Sequence, residues 1–390
     1  MQTEKLYDAD SHLRIFSAQV LSCEPAARGW EVRLDRTAFY PEGGGQPCDL
    51  GTLGGTEVTG VLERGGGIVH ICAGPLAPGS VAAGEIDWRR RFDLMQQHSG
   101  EHIVSGLVHA AFGYDNVGFH MGRDVVTIDF SGELTAAQVL ELEEQANAVV
   151  WDDLEIKAGY PDASVLKDTA YRSKKALTGA VRLVEIPGVD CCACCGTHVS
   201  RTGEIGLIRL LGGVKLRGGS RLELVCGGRA LRHTQAVWEQ TRRVSNLLSA
   251  RPLQTAEAVE RICGELETCR YRLTQLEDRL FEERAGDLRD AGDVLLFEEG
   301  LTADGVRRLA LAAGKRCGGT AAVFSGAEHS GYQYAVCGSG GDLRELGRRL
   351  NGRLNGRGGG KPQLIQGAVQ ASEQEIREFF SSAVPGCQCR

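Results

Sequence analysis

The sequence has no apolar run near the roughly 18 to 20 residues of a membrane-spanning helix, which leaves no candidate for such a span. Its start, Met-Gln-Thr-Glu-Lys-Leu-Tyr-Asp, lacks the basic-then-apolar profile of a secretory signal, so the expected location is the cytoplasm. Fourteen cysteines in 390 residues are too few for a disulfide scaffold of this length. Without an export signal they are expected as thiols, and any cluster among them is a metal candidate. Positive charge is not in excess either: 44 basic residues against 51 acidic give a net −7. That argues against a surface coated for nucleic acid and leaves room for a local basic groove. No internal repeat or long disordered tract is present. What is there is ordinary for a soluble globular chain, 42% hydrophobic and 24% charged, and its length predicts two to four folded units at about 150 residues each.

The hydrophobic period changes along the chain. Residues 1–88 hold short apolar runs such as Trp30-Glu-Val-Arg-Leu34 and Ile68-Val-His-Ile71 between Gly, Pro and Asp clusters, the pattern of a small barrel or sandwich. From Arg91 the apolar residues recur at helical intervals to about Gly113. A second helix follows Ser131-Gly-Glu133, with Leu134, Val139, Leu142, Ala146 and Val149 inward, and residues 133–155 carry seven carboxylates and no Lys or Arg. Strand-like runs at 182–186 and 205–211 make residues 89–228 mixed α and β. Residues 229–290 carry a heptad stripe through Val259, Ile262, Leu266, Cys269, Leu273, Leu276 and Leu280, read as a helical hairpin or coiled-coil linker turning near 249–253. Residues 291–390 return to α/β. The expected class is α+β: an N-terminal small β-barrel or sandwich, a mixed α+β domain, the helical linker and a C-terminal α/β module.

Four clusters have residues suited to chemistry. His98 and His102 are four apart on the first helix, so both imidazoles share one face. His98-Ser-Gly-Glu-His102 also fits the His-x-x-Glu-His pattern of inverted zinc peptidases, with Glu101 as general base. Asp190-Cys-Cys-Ala-Cys-Cys-Gly-Thr-His198 offers four thiols in five positions but no second Cys-x-x-Cys pair downstream for a zinc ribbon. Cys194 and His198, again four apart, join the two histidines in a Cys-His₃ set suited to Zn²⁺, provided the fold unites them. Thr37-Ala-Phe-Tyr-Pro-Glu-Gly-Gly-Gly-Gln46-Pro matches no phosphate loop; Gly43, Gly44 and Gly45 expose backbone N–H groups and admit close approach. Gly356-Arg-Gly-Gly-Gly-Lys-Pro362 fails as a Walker motif but sits in a basic island, with six Lys or Arg against two acids over 342–361. A second island, seven against two, covers 201–233. Two basic islands on an acidic chain suggest a track for a phosphate backbone.

These motifs, in this order, resemble the editing domain of alanyl-tRNA synthetase and its free-standing relatives, the alanyl-tRNA editing proteins. The resemblance rests on Phe39-Tyr-Pro-Glu-Gly-Gly-Gly-Gln-Pro, Met95-Gln-Gln-His-Ser-Gly-Glu-His-Ile and Cys194-Cys-Gly-Thr-His-Val-Ser-Arg-Thr-Gly-Glu-Ile-Gly. Gly356-Arg-Gly-Gly-Gly-Lys-Pro with Gln366-Gly367 resembles the C-terminal module of those synthetases, the DHHA1 domain. The expectation is the long free-standing form, with no aminoacylation domain before residue 1: barrel 1–88, zinc-dependent editing domain 89–228, hairpin linker 229–290 and DHHA1-type module 291–390.

The resemblance implies one zinc per chain on His98, His102, Cys194 and His198. The family motif is Cys-Gly-Gly-Thr-His and this chain has Cys195 at the first glycine, so Cys194 and Cys195 compete for the metal, with the four-residue offset favouring Cys194. The implied activity is hydrolysis of the aminoacyl ester of tRNA(Ala) mischarged with serine or glycine. Thr37 is the candidate contact for the serine hydroxyl. Gln46 and Gly43 to Gly45 shape the pocket, and Glu101 acts as base or holds a ligand imidazole. Arg353, Arg357 and Lys361 are candidate tRNA contacts, and the linker or C-terminal module a candidate homodimer interface. The rival readings are a non-catalytic tRNA-binding protein with structural zinc and a zinc metallopeptidase.

Overall fold

Along Ile15–Ala26 the buried residues Phe16, Ala18 and Val20 alternate with exposed neighbours, the signature of a strand with one face on a core. In the computed structural model, which describes residues 3–173, 180–338 and 340–390, this strand opens a barrel. Its successive neighbours are Gly29–Leu34, Gly67–Cys72, Thr56–Arg64, Gly51–Leu53 and Val81–Ile86, and the last pairs back onto Ile15–Ala26. Closure of this kind removes free edges. Phe16, Val32, Leu34, Phe39, Val61 and Ile68 fill the interior.

The chain then enters the long helix Trp88–Phe112. Asp87 caps it, its carboxylate accepting the backbone N–H of Arg90 at 3.1 Å, and Gly113 ends it at a left-handed φ of 69°. Fourteen of its residues are buried, so it is enclosed by protein rather than laid on a surface. One neighbour is an antiparallel sheet ordered Ile208–Leu216, Gly219–Cys226, Val126–Phe130, Asn116–Met121. Another is the helix Ala136–Trp151, whose Val139, Leu142, Ala146 and Val150 face the shared core. A capping box between Thr135 and Gln138 starts that helix. Its acidic side is partly neutralised: Glu143 binds the Arg209 guanidinium at 2.5 Å and the Leu210 N–H at 2.6 Å. A second antiparallel sheet, Lys157–Gly159, Leu183–Ile186 and Asp190–Ala193, carries the cysteine cluster.

The chain divides into two compact units, residues 1–243 and 244–390. Helices Gly227–Leu248 and Thr255–Gly286 flank a short 3₁₀ turn at Pro252–Gln254. Of the heptad residues, Val259, Ile262, Leu266, Leu273, Leu276 and Leu280 stay 41–62% exposed. In the second unit six strands form a mixed sheet ordered Arg357–Lys361, Leu364–Val369, Gly331–Gly338, Gly318–Ala327, Gly292–Phe297, Gln388–Cys389. Period-two alternation splits its side chains between two cores. Val294, Leu296 and Val323 meet the helix Ala303–Arg316, while Leu295, Phe324 and Val336 meet Leu343–Arg353 and Glu373–Ala383. Among the described residues no helix is long and apolar enough to cross a membrane.

Candidate metal centre

His98 and His102 lie one turn apart on the long helix, and Cys194 and His198 on the loop that follows the strand Asp190–Ala193. The fold brings the four together: their donor atoms all lie within 4.8 Å of one another. Cys194 Sγ is 3.5 Å from His98 Nε2 and 3.4 Å from His198 Nε2. Each imidazole is turned inward by a bond at its other nitrogen. His98 Nδ1 meets Gln46 Oε1 at 2.8 Å, His102 Nδ1 meets Asp190 Oδ2 at 2.9 Å, and His198 Nδ1 meets Ser99 Oγ at 3.2 Å. An amide oxygen and a carboxylate only accept, so the Nδ1 atoms of His98 and His102 donate, and in the neutral ring the Nε2 lone pair faces the centre. This is how protein metal sites fix their histidines.

Burial raises the Cys194 thiol, but the charge of His98 and hydrogen bonds from His102 and His198 outweigh it and hold Cys194 well below the usual thiol range. Burial and the neighbouring His98 push His198 down to about 3. At His102 burial disfavours the cation, while the bonds to Asp190 and Cys194 prevail and raise it. A thiolate among imidazoles is a donor set for a borderline-soft divalent ion. Zinc bonds of about 2.3 Å to sulfur and about 2.0–2.1 Å to nitrogen at a tetrahedral angle separate those donors by about 3.5 Å; the distances from Cys194 Sγ to His98 and His198 match this, and the donor types suit the ion. Cys195 is exposed, and it is Cys194 that joins the cluster.

Two glycines make the packing possible. A Cβ on Gly196 would fall 2.1 Å from His98 Cε1, and one on Gly106 would fall 2.4 Å from the Val189 carbonyl and 2.8 Å from Asp190 Cβ. Gly106 therefore lets the strand bearing Asp190 approach close enough to reach His102. Arg172 grips the same carboxylate with two bonds, 2.8 and 2.9 Å. Buried Arg182 donates to the carbonyls of Cys194 at 3.1 Å and Gly196 at 2.9 Å, fixing the cysteine turn. Gln46 reaches the cluster from the barrel side. Its amide nitrogen donates to Thr197 Oγ1 at 2.8 Å, and its oxygen also accepts the Thr197 N–H at 3.2 Å.

A cavity of about 310 Å³ opens on the cluster, with Tyr40, Gly44, Glu101, Arg172 and Cys195 among its walls. Glu101 is buried; one of its oxygens accepts from Ser105 at 2.7 Å and Asn116 at 2.5 Å, and the other lies 3.9 Å from His102 Nε2. Gly43 and Gln46 bond each other's backbone at 3.0 and 3.1 Å, so Gly44 and Gly45 form the turn tip, of which Gly44 meets the cavity. The structure does not bring Thr37 to these walls. It is fully buried in the barrel, its hydroxyl 2.8 Å from His70 Nε2 and accepting the Phe39 N–H at 3.1 Å. Arg353, Arg357 and Lys361 belong to the second unit, exposed at the end of one helix and on the edge strand.

Sequence reasoning missed Ser99, Asp190, Arg172 and Arg182. Asp190 stood beside the cysteine run, and a carboxylate flanking candidate ligands is the one signal that pointed to it.

A family profile described as the Threonyl and Alanyl tRNA synthetase second additional domain matches residues 181–244, a span holding Cys194 and His198. The Alanyl-tRNA editing protein Aarsd1 of Mus musculus is 34% identical over 278 residues, 66% of this chain and 67% of that one. Aarsd1-B of Xenopus laevis is 32% identical over 263 residues, 63% of each chain. The Alanine--tRNA ligase of Ignicoccus hospitalis is 32% identical over 295 residues, 72% of this chain and 32% of the ligase. The solved C-Ala domain of Aquifex aeolicus alanyl-tRNA synthetase aligns at 22% identity over 24% of this chain and 90% of that one, with a TM-score of 0.21, too loose to define a fold. A third of the residues identical along two thirds of the mouse protein is enough to place this sequence: the chain belongs to the alanyl-tRNA editing protein family.

Proposed function

We propose that this protein hydrolyses the ester joining a wrong amino acid to the terminal ribose of tRNA(Ala), with serine- and glycine-charged tRNA(Ala) as substrates. The observation that carries the reading is the convergence of three imidazoles and one thiolate, their outer atoms tied down, on the floor of a small cavity. His98, His102, Cys194 and His198 hold one zinc ion. Four protein donors close a tetrahedral site, so a zinc held by all of them would supply Lewis acidity toward an ester carbonyl or a water by accepting a fifth ligand. Glu101, fixed by Ser105 and Asn116, takes the proton of the attacking water. The turn at Gly43 to Gly45, held by Gln46, lets the terminal ribose approach without side-chain collision.

A separate editing site is useful because a synthetase pocket for alanine gains little against glycine and cannot strongly reject an added hydroxyl. A site that hydrogen-bonds the serine hydroxyl reverses this, since alanine leaves that partner buried and unpaired. Arg353, Arg357 and Lys361 contact tRNA away from its charged end in the C-terminal module. The four segments keep the roles of barrel, editing core, helical linker and RNA-binding module. The exposed heptad face of Thr255–Gly286 pairs with a second copy of the chain.

The test is deacylation of Ser-, Gly- and Ala-tRNA(Ala) by wild type and Cys194→Ala, with bound zinc measured in both. Wild type is expected to hydrolyse the first two faster than the third, and the variant to lose zinc and activity together. Full activity in the variant and after chelation overturns the reading; a zinc-loaded wild type that binds tRNA without deacylating it indicates a non-catalytic binding protein.

A further inference from the structure

A second concavity, about 990 Å³, lies between the first turns of two helices, Trp88–Phe112 and Gly227–Leu248, and the turn at Gly122-Arg123. It contains five arginines, Arg89, Arg90, Arg123, Arg229 and Arg232, against Asp87 and Asp93. Two of the five are occupied in building the walls. Arg229 binds Asp93 at 2.7–3.2 Å and the Gly122 carbonyl at 2.8 Å, and Arg90 donates to the Cys48 carbonyl at 3.2 Å. Asp87 caps its helix. Arg89, Arg123 and Arg232 are exposed, and none has an ion pair or side-chain hydrogen bond among the described residues. Half-buried Trp88 provides an aromatic wall, its ring tilted against Phe92 with centroids 5.3 Å apart and covered by the Arg14 guanidinium at 4.0 Å.

Both acids are thus engaged while three cations remain directed at one rigid cleft, beside a tryptophan and at the positive ends of two helix dipoles. Planar guanidinium groups with free donors recognise phosphate. Helical spacing puts Arg89, Asp93 and Gln96 on the face of the long helix opposite His98 and His102. Ten residues from Trp88 to His98 at 1.5 Å each add about 15 Å along the axis, four to five steps of a stacked strand at about 3.4 Å per phosphate.

We propose that this cleft binds the ribose–phosphate backbone of RNA as a site separate from the metal centre, holding the substrate by a stretch that is not its aminoacylated end. The partner's identity as tRNA rests on the function proposed above; the phosphate chemistry does not. Contacts on the far side of the helix cannot touch the reacting ester, so they act on binding.

The test compares wild type with Arg89→Ala/Arg123→Ala/Arg232→Ala, three exposed positions whose loss should leave Tm and zinc content intact. Binding of uncharged tRNA(Ala) and of a blunt RNA hairpin without a 3′ overhang is measured against salt. Loss of three phosphate contacts lowers the log–log salt slope by about 2 to 3 for both RNAs and weakens binding by about tenfold or more at low salt. In deacylation assays the loss falls on KM rather than kcat. An unchanged salt slope overturns the proposal, as does equal competition by an acidic peptide, which would mark an unspecific cation patch. Slope loss in a protein with no deacylase activity removes the function proposed above and keeps the cleft. Deacylation with an unchanged slope does the reverse.

Discussion

Arg91 and His98 are buried seven residues apart on the same helix, yet their surroundings do opposite things. Every arm of the Arg91 guanidinium ends on protein: Nε on Asp49 at 2.9 Å, Nη1 on the Ser11 carbonyl at 2.8 Å, Nη2 on Asp49 and the Ala38 carbonyl. His98 has one nitrogen tied to Gln46 and the other directed at a point shared with three more donors. The first arrangement joins the barrel to the helix and needs nothing from outside. The second gathers donors that could hold a metal ion. A third buried ring makes the contrast sharper: His70 in the barrel has Nδ1 on the Val32 carbonyl at 3.2 Å and Nε2 on Thr37 at 2.8 Å. Burial does not separate a structural histidine from a ligand; the direction of its second nitrogen does.

The contrast can be broken from either side. The largest effect on stability is expected for Arg91→Ala, which leaves Asp49 charged, buried and unpaired at a cost of about 3–5 kcal/mol, read by urea unfolding. A near-neutral result would mean that the pair is not holding the barrel to the helix. Next is the pH response of His70. Burial lowers its pKa to about 4 against an ordinary 6.5, partly offset by the Val32 carbonyl. The folded form thus resists protonation and the unfolded chain does not. Its stabilisation is complete above about pH 6.5 and is lost as pH falls toward 4, a change of about 3 kcal/mol. His70→Gln should flatten the stability profile in that window, and a profile as steep as wild type refutes the assignment.

Asp190→Asn tests the outer support of the metal centre. Removing the carboxylate behind His102 should weaken zinc binding about 10- to 100-fold, measured by competition with a chelator; unchanged affinity would mean that His102 needs no orienting partner. The smallest change is expected for Thr37→Val. With its hydroxyl engaged by His70, the variant should lose about 1 kcal/mol of stability. A shift in the ratio of Ser-tRNA(Ala) to Ala-tRNA(Ala) hydrolysis would instead restore Thr37 as a substrate contact.

What the sequence made legible was local. The change of period near residue 91 separated strand-rich from helical chain, and the α+β class followed. The two pairs of candidate ligands were visible because each repeats at four residues. What was hidden depends on residues far apart in sequence. Nothing in Ser99 or Asp190 announces that it will meet His198 or His102 until the helix and the cysteine strand pack together. Gln46 was noticed for its neighbours rather than for the His98 bond that only the barrel's placement creates. The acidic run at 133–155 showed its seven carboxylates but not their partners, among them Arg209, which pairs with Glu143. The glycine-rich 357–361 segment read as a possible phosphate track and forms an exposed edge strand. Its composition carried the charge but not the hydrogen bonding that makes it a strand.

Gln46 touches three stretches of chain at once: its own barrel loop, the helix through His98 and the cysteine turn through Thr197. The pocket is therefore not built by the long helix and the cysteine turn alone. A fragment cut after the barrel would inherit all four candidate metal ligands and lose the amide bonded to one of them. Together with Arg91, which ties Asp49 and the Ala38 carbonyl to the same helix, this one amide makes the aim of His98 depend on how the barrel is seated.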